Sequence, residues 1–196
     1  MINQEGWRQL ESHTLFRNPH LEVRQEKVAI GGTTTSRDWT VVRRKKAVVI
    51  CPITEHGRFV LIHQARIPVQ QWLWEFPAGQ VDDSMNPDLG LLEATALREL
   101  AEESGYELSA GGELTALGHY FASPGFTDEQ QYLFLARPVR TTASGARIDT
   151  SEAIAESREF TLEQLRSMIA ENIIQDANTL ALFARLCARG LIEWAS

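Results

Sequence analysis

Residues 75–106 read EFPAGQVDDSMNPDLGLLEATALRELAEESGY, and the rest of the chain is organised around this stretch. Its apolar residues recur at the spacing of a helix face: Leu92, Ala96, Leu97 and Leu100. This spacing predicts an amphipathic helix. Gly105 is well placed to end that helix, because glycine readily adopts the left-handed conformation of a C-terminal cap.

The second half of the predicted helix carries three carboxylates. Glu99 and Glu103 lie one helical turn apart, and Glu102 lies beside Glu99. Arg98 precedes Glu102 by four residues and can neutralise one of the three charges. The remaining pair suits a hard cation that prefers oxygen ligands, such as Mg²⁺. A solvated acidic face of a helix would show the same pattern.

The segment before the helix favours the metal-site interpretation. Residues 73–79, LWEFPAG, read as an apolar strand that ends in a Pro-Ala-Gly turn. A strand, a loop and a carboxylate helix in this order bring backbone carbonyl groups up to the helix face. Those carbonyl oxygens would add ligands of the type that Mg²⁺ prefers.

These residues resemble the signature of the Nudix hydrolase family. That signature runs glycine, five residues, glutamate, seven residues, and then Arg-Glu-aliphatic-any-Glu-Glu-any-Gly-aliphatic. The matching positions are Gly79, Arg98, Glu99, Leu100, Glu102, Glu103 and Gly105, with Tyr106 in the last apolar place. The interval from Gly79 to Arg98 is five residues longer than in the signature, and Gly90 stands where its first glutamate belongs. We therefore expect a lengthened loop within residues 82–89 and an intact helix after it.

The resemblance implies an α+β Nudix fold, in which helices sandwich a mixed β-sheet, with a small N-terminal β unit in residues 1–44. Three short segments there read as strands, 15–16, 21–24 and 28–30, and the loose alternation of residues 33–43 indicates a possible fourth. Strands this short cannot bury enough surface alone, so they must pack on the main domain or on a second subunit. Nudix enzymes of the ADP-ribose type exchange such a unit in a homodimer, which the resemblance implies here. Residues 45–196 would then form the catalytic domain.

Apolar segments of that domain predict its core. Residues 46–53 predict a central strand, and residues 59–64 predict its hairpin partner. Trp74 is predicted to face the core. Trp72 lies two residues away on the same face of the strand, so one of the two is expected near an edge or an interface. Later strands are predicted at 114–121, 131–136 and 157–160, and helices after the capping box at Thr161 and after Asp176.

Composition narrows the class of protein. The 196 residues are 43% hydrophobic and 23% charged, as in soluble globular proteins. A net charge of −7 argues against nucleic-acid binding, and no apolar run approaches the ~20 residues of a membrane span. The N-terminus shows no apolar signal-peptide region. Cys51 and Cys187 lie in apolar surroundings and are read as reduced core residues, so we expect a cytoplasmic protein.

Two further regions resemble the ADP-ribose pyrophosphatase branch of the family. Pro124 lies eighteen residues after Tyr106 in a Ser-Pro-Gly context, and Glu129 follows it. The resemblance makes Glu129 a candidate to hold the ribose of the substrate or a metal ion, although Ser-Pro-Gly alone is a generic turn. Arg66 is a candidate to contact the phosphates or the base of the substrate.

The catalytic base of this branch comes from an acidic loop late in the chain. Residues 141–151, TTASGARIDTS, are small and polar, which is typical of a mobile loop. Glu152 is the preferred candidate, with Asp149 and Glu156 as rivals. Each of these acids could equally be a solvated loop residue.

The implied reaction is Mg²⁺-dependent hydrolysis of a nucleoside diphosphate sugar, with Mn²⁺ as a possible substitute. Glu99, Glu103 and the Ala78 carbonyl would bind the metal, and Glu102 would complete the cluster or pair with Arg98. ADP-ribose would give AMP and ribose 5-phosphate. GDP-mannose or ADP-glucose is the nearest alternative substrate. A non-catalytic ADP-ribose sensor is the alternative from another class of protein.

Overall fold

The computed structural model describes residues 6–31, 35–82, 86–143, 145 and 153–193. The chain divides into two compact units. One comprises Met1–Lys45 and Phe121–Gln130, and the other comprises Lys46–Tyr120 and Gln131–Ser196. The domain boundary expected after residue 44 remains a prediction. We call Phe121–Gln130 the connecting segment, because it joins two strands of the second unit along the chain.

A three-stranded antiparallel sheet forms the first unit. Its strands in spatial order are β1 (Trp7–Arg17), β2 (Leu21–Ile30) and β3 (Ser36–Arg44). They are continuous over 11, 10 and 9 residues, so the expectation of several short strands was wrong. Exposed polar residues interrupt the apolar pattern from which strands are predicted, whereas the strands themselves continue past these residues, with two register shifts in the pairing of β1 with β2.

The connecting segment extends this sheet. The Val42 N–H donates to the Phe126 carbonyl at 2.8 Å, and the Asp128 N–H donates to the Val42 carbonyl at 3.3 Å. The Asp128 carboxylate accepts from the Arg44 N–H at 3.0 Å and pairs with the Arg43 guanidinium at 3.2 Å. The segment is therefore fixed to β3 by both backbone and side-chain bonds.

A mixed sheet forms the centre of the second unit. The spatial order of its main strands is β10 (Ile154–Phe160), β5 (Phe59–Arg66), β4 (Ala47–Thr54), β9 (Gln130–Thr141) and β8 (Tyr106–Phe121). Two short strands join it: β6 (Gln71–Glu75) pairs with β5, and β7 (Ala78–Gln80) pairs with β4. β4 is central, as predicted, and runs parallel to β9 and antiparallel to β5 and β7. β8, β9 and β10 each begin earlier than the sequence pattern indicated.

Helices cover both faces of the mixed sheet. Helix α1 (Leu89–Glu99) packs on the face that includes Val48 and Val60. Helices α2 (Leu162–Ala170) and α3 (Ala177–Ala188) pack on the opposite face. The predicted α+β fold, with helices on both sides of a mixed sheet, is confirmed.

The helix starts follow the capping residues in the sequence. The side chain of Asp88 accepts from the Leu91 N–H, so the lengthened loop ends where α1 begins. Thr161 and Gln164 form the predicted capping box of α2, and Asp176 caps α3. These side chains satisfy N–H groups that have no partner within the helix.

Other core predictions also agree with the structure. Trp74 packs against the core and stacks on His63 at 4.5 Å between ring centroids, whereas Trp72 is 51% exposed. Cys51 and Cys187 are both free thiols. Within the described ranges, no helix combines the length and apolar character needed to cross a bilayer.

Candidate active site

The carboxylate helix changes geometry where its acidic residues begin. The sequence predicted one continuous helix up to Gly105, but α1 ends at Glu99 and a π-helical turn follows over Leu100–Ser104. The Ser104 hydroxyl donates to the Leu100 carbonyl at 2.5 Å, and Gly105 caps the turn with φ of 75°. Hydrophobic spacing cannot distinguish a final π turn from a final α turn. Such turns are frequent at functional sites.

Two of the carboxylates lie against the Pro-Ala-Gly bend. The Ala78 N–H donates to Glu103 Oε2 at 2.8 Å, and Glu103 is only 1% exposed. Glu99 is 5% exposed and lies so close to Gly79 that a Cβ there would be 1.9 Å from its Oε1. The structure therefore brings together Ala78, Glu99 and Glu103, the three residues expected to bind metal.

Arg98 neutralises part of the carboxylate cluster that Glu99, Glu102 and Glu103 form. Its guanidinium donates to Glu99 Oε1 at 2.7 Å and to Glu102 Oε2 at 2.6 Å. Burial alone would lower the pKa of Arg98, but the two carboxylates outweigh that effect and raise it. Of the two open interpretations of Glu102, the structure shows the ion pair with Arg98, on a side chain that remains exposed.

A second ion pair lies on β5 and β6. The Arg66 guanidinium donates to Glu75 from two nitrogens. Its Nη2 lies 2.5 Å from Oε2, and its Nε lies 2.9 Å from Oε1. Glu75 is 1% exposed, whereas the Arg66 side chain retains partial exposure. Such a bidentate pair fixes the plane of the guanidinium.

Neighbouring carboxylates shift the pKa values of both members of this pair. Burial raises the pKa of Glu75 and outweighs the opposing effect of Arg66, and the charge of Asp176 raises it further. Burial would lower the pKa of Arg66, but Glu75, Asp176 and Glu103 together raise it. The Asp176 carboxylate also accepts from the Thr179 hydroxyl at 2.8 Å.

Glu75 and Asp176 were missed as parts of a polar site by the sequence analysis. Asp176 was recognised only as a helix cap, a role that it also fills here. The signal for Glu75 was a lone carboxylate within the apolar run LWEF. A charged residue in such a run is rarely buried without a partner, so a search for a nearby arginine would have found Arg66.

The donor set at the bend fits a hard divalent cation. Glu99 and Glu103 supply carboxylate oxygens, and the Ala78 carbonyl expected as a ligand from the sequence would add a further oxygen. Such all-oxygen surroundings suit Mg²⁺ or Mn²⁺ rather than a softer metal. Within the ranges given above, no cluster of three or more His, Cys, Asp or Glu side chains is arranged for a metal by itself. A metal here would therefore need backbone or substrate oxygens as additional ligands.

The remaining predicted site residues fall in other parts of the chain. Pro124 and Glu129 belong to the connecting segment of the first unit, where Glu129 pairs with Arg44 at 3.3 Å. Glu152 and Asp149 fall outside the described residues. Glu156, the third candidate base, pairs with Arg158 at 2.9 Å on the surface.

The described residues of the second unit form at least two depressions. One of about 580 Å³ is lined by residues that include Thr54, Glu113 and Arg137, none of which belongs to the carboxylate cluster. A smaller one of about 240 Å³ is lined by residues that include Arg66 and Trp72. Only the smaller depression adjoins a residue of the candidate site. The candidate site is therefore defined by its charges and hydrogen bonds rather than by the size of a cavity.

Comparison with known proteins places these residues in a family. The model described as "NUDIX domain" matches residues 43–183. The ADP-ribose pyrophosphatase of Bacillus subtilis strain 168 is 32% identical over 139 residues, which cover 71% of this chain and 70% of that protein. The methanol dehydrogenase activator of Bacillus methanolicus is 33% identical over 149 residues, covering 76% and 75%. A crystal structure described as an ADP compounds hydrolase superposes with a TM-score of 0.77 at 17% identity, covering 97% of this chain and 99% of that one.

Replacing Gly79 by alanine tests the contact between the bend and the helix. The new Cβ would overlap the Glu99 carboxylate, so we expect Gly79→Ala to weaken binding of Mn²⁺ at least about tenfold, measured by calorimetry. Gly90→Ala is the matched control, because the nearest atom to its added Cβ is Asp88 Oδ1 at 3.5 Å. Unchanged Mn²⁺ affinity in Gly79→Ala would contradict the metal site.

Replacing Arg66 by methionine tests the buried ion pair. The change leaves Glu75 buried without its cation, so we expect the free energy of unfolding at pH 7 to fall by about 3 kcal/mol. The pKa of Glu75 would rise further above its unfolded-state value. The folded protein would then bind the proton more tightly than the unfolded chain, and the deficit should shrink as the pH falls from 7 to 5.

Urea unfolding at both pH values provides the measurement. Arg140→Met is the control, because Arg140 forms an exposed pair with Glu107 and its loss should cost less than about 1 kcal/mol. An equal loss of stability at pH 7 and pH 5 in Arg66→Met would show that the charge of Glu75 is not the cause.

Proposed function

Since the chain belongs to the NUDIX domain family, we propose that it hydrolyses the diphosphate bond of ADP-ribose or a related nucleoside diphosphate sugar with Mg²⁺. The products from ADP-ribose would be AMP and ribose 5-phosphate. The observation that carries this proposal is the pair Glu99 and Glu103, both buried against the Ala78–Gly79 bend. The name of the Bacillus subtilis relative supports the choice of substrate class.

The residues at the bend would hold the metal. Glu99 and Glu103 would bind it through carboxylate oxygens, and Ala78 through its carbonyl oxygen. When bound, Mg²⁺ would neutralise the diphosphate charge and lower the pKa of a coordinated water. Arg98 fixes the Glu99 carboxylate by direct hydrogen bonding, so its catalytic contribution would be to keep that ligand in place.

Arg66 would bind the substrate beside the metal. Glu75 holds two of its nitrogens, and the guanidinium retains partial exposure. A guanidinium fixed in this way can bind a phosphate oxygen with little further loss of side-chain entropy. This would also supply the positive charge that an acidic protein needs to bind an anion.

Two further roles complete the proposal. Glu129 and Pro124 would contact the ribose side of the substrate from the connecting segment. Glu152 would remove the proton of the attacking water, with Asp149 and Glu156 as its rivals. Glu156 would have to leave its ion pair with Arg158 to act as the base.

We also propose a homodimer that assembles through the first unit and works in the cytoplasm. Several large apolar side chains of its sheet are exposed in the single chain: Trp7, Leu10, Leu15, Phe16 and Trp39. Large apolar side chains that are exposed on one sheet are a reason to propose an interaction site there. The two free thiols are consistent with a reducing compartment.

Turnover of a nucleotide-sugar panel tests the proposed reaction. ADP-ribose, ADP-glucose and GDP-mannose would be compared with and without Mg²⁺, and AMP or GMP would be measured as a product. We expect Glu103→Gln to lower kcat by about 100-fold or more, because it weakens a metal ligand. Glu163→Gln is the matched control, since Glu163 is an exposed residue on α2.

Two results would contradict this assignment. A loss below about threefold in Glu103→Gln would remove that residue from the site. Tight binding of ADP-ribose by the wild type without hydrolysis would instead favour the sensor. Turnover of GDP-mannose alone would change the substrate but not the reaction.

Sedimentation at micromolar concentration tests the dimer. We expect the wild type to sediment as a dimer and Phe16→Glu to shift it to the monomer, because a charge would lie in the proposed apolar contact. Phe16 is exposed in the single chain, so the variant should fold. Ile173→Glu, at an exposed position of the second unit, should remain a dimer. A monomeric wild type would exclude the proposed assembly.

A further inference from the structure

One buried polar atom near the candidate site has no hydrogen-bond partner. Gln64 on β5 is 7% exposed, and its Oε1 accepts no bond from any group in the part of the chain that the structure describes. Buried polar atoms nearly always have a partner, and exceptions are frequently explained by a water or a ligand. The face of β5 on which Gln64 lies therefore limits which molecule could bind to Oε1.

The pairing of β5 with β6 fixes the face on which Gln64 lies. The register runs without interruption from Ile62 opposite Glu75 to Arg66 opposite Gln71, so side chains alternate strictly between the two faces. His63 stacks on Trp74, which packs with the α3 side of the sheet. Gln64 therefore shares the other face with Arg66 and Glu75.

That face belongs to the carboxylate cluster. The π-helical turn Leu100–Ser104, which carries Glu103, packs against β5. Leu100 lies in the same apolar cluster as Val60. Val60 precedes Gln64 by four residues on β5, so the two side chains lie on the same face of the strand. Gln64 thus carries a buried Oε1, without a partner among the described residues, on the strand face against which the π-helical turn packs.

The chemistry of the amide narrows the possible occupant. Its Oε1 is an acceptor, so the partner must donate a proton. The oxygens of a diphosphate carry no proton near neutral pH and would be repelled by the carbonyl. Water meets the requirement, and water is the second reactant in the proposed hydrolysis.

We propose that Gln64 Oε1 accepts a hydrogen bond from the attacking water and orients it toward the diphosphate. This inference rests on the proposed function. The water oxygen forms a bond to one phosphorus, the bond from that phosphorus to the bridging oxygen breaks, and the bridging oxygen leaves with the other phosphate. One water proton passes to the carboxylate base. The other proton stays on the attacking oxygen, which donates it in a hydrogen bond to Gln64 Oε1. Gln64 is therefore a catalytic residue that binds a reactant without changing its own protonation state.

Kinetics of Gln64→Leu test the proposal. Removal of one hydrogen bond of about 1.4 kcal/mol corresponds to a loss of about tenfold, which we expect in kcat with KM within about twofold. Gln64→Met, whose side chain is unbranched, serves as a second variant if the leucine protein does not fold. A kcat loss below about fivefold, or a rise in KM larger than the fall in kcat, would overturn the proposal.

Thermal unfolding of the metal-free protein gives a readout independent of activity. If Oε1 serves no part of the fold, its replacement by an apolar group should leave Tm unchanged or raise it. A fall of more than about 4 °C would assign Gln64 to the fold and overturn its role with water. Ser109→Ala is the control, because Ser109 is also buried with a hydroxyl that has no partner among the described residues, but lies on β8. Its kcat should not change.

The same assays distinguish a failure of the role of Gln64 from a failure of the proposed function. Wild-type turnover of a nucleotide sugar with an unchanged kcat in Gln64→Leu would overturn only the role of Gln64. A wild type that hydrolyses none of the panel would overturn the proposed function, and the role of Gln64 with it.

Discussion

The close contact between the carboxylate helix and the Pro-Ala-Gly bend is the constraint on which the candidate site depends. The Ala78 N–H holds Glu103, and the absence of a side chain at Gly79 leaves room for Glu99. Both carboxylates lose most of their contact with water there, which is unfavourable unless cations or hydrogen-bond donors compensate. Arg98 and the bend provide part of that compensation. A helix shifted by one residue would place neither carboxylate at the bend.

The ion pair of Arg66 with Glu75 is the second feature of the candidate site. Arg66 lies on a strand rather than on the helix, and Glu75 fixes it from the neighbouring strand. The charges of Glu103 and Asp176 also raise the pKa of this guanidinium. In the proposed function, Arg66 would supply a local cation for an anionic ligand on a chain with a net charge of −7.

Sequence analysis predicted the parts of the molecule that follow local rules. The helix caps at Thr161 and Asp176, the central strand and the family signature depend on neighbouring residues, and the structure agrees with each. It missed features set by distant residues. The π-helical turn depends on how Ser104 bonds and packs, and the partner of Glu75 is nine residues away on another strand. Exposed polar residues hid the true length of β1 and β2, because pairing rather than burial defines those strands.

The attachment of the connecting segment to β3 has a consequence for how this protein can be altered over evolutionary time. The segment lies between β8 and β9 in the chain, yet Asp128 bonds to Arg43 and Arg44, which precede the mixed sheet. Genetic recombination that replaced the first 45 residues as a cassette would leave Asp128 facing an unrelated surface. The leading sheet and the insert after β8 should therefore be inherited together, and a chimaera that transplants one should transplant both.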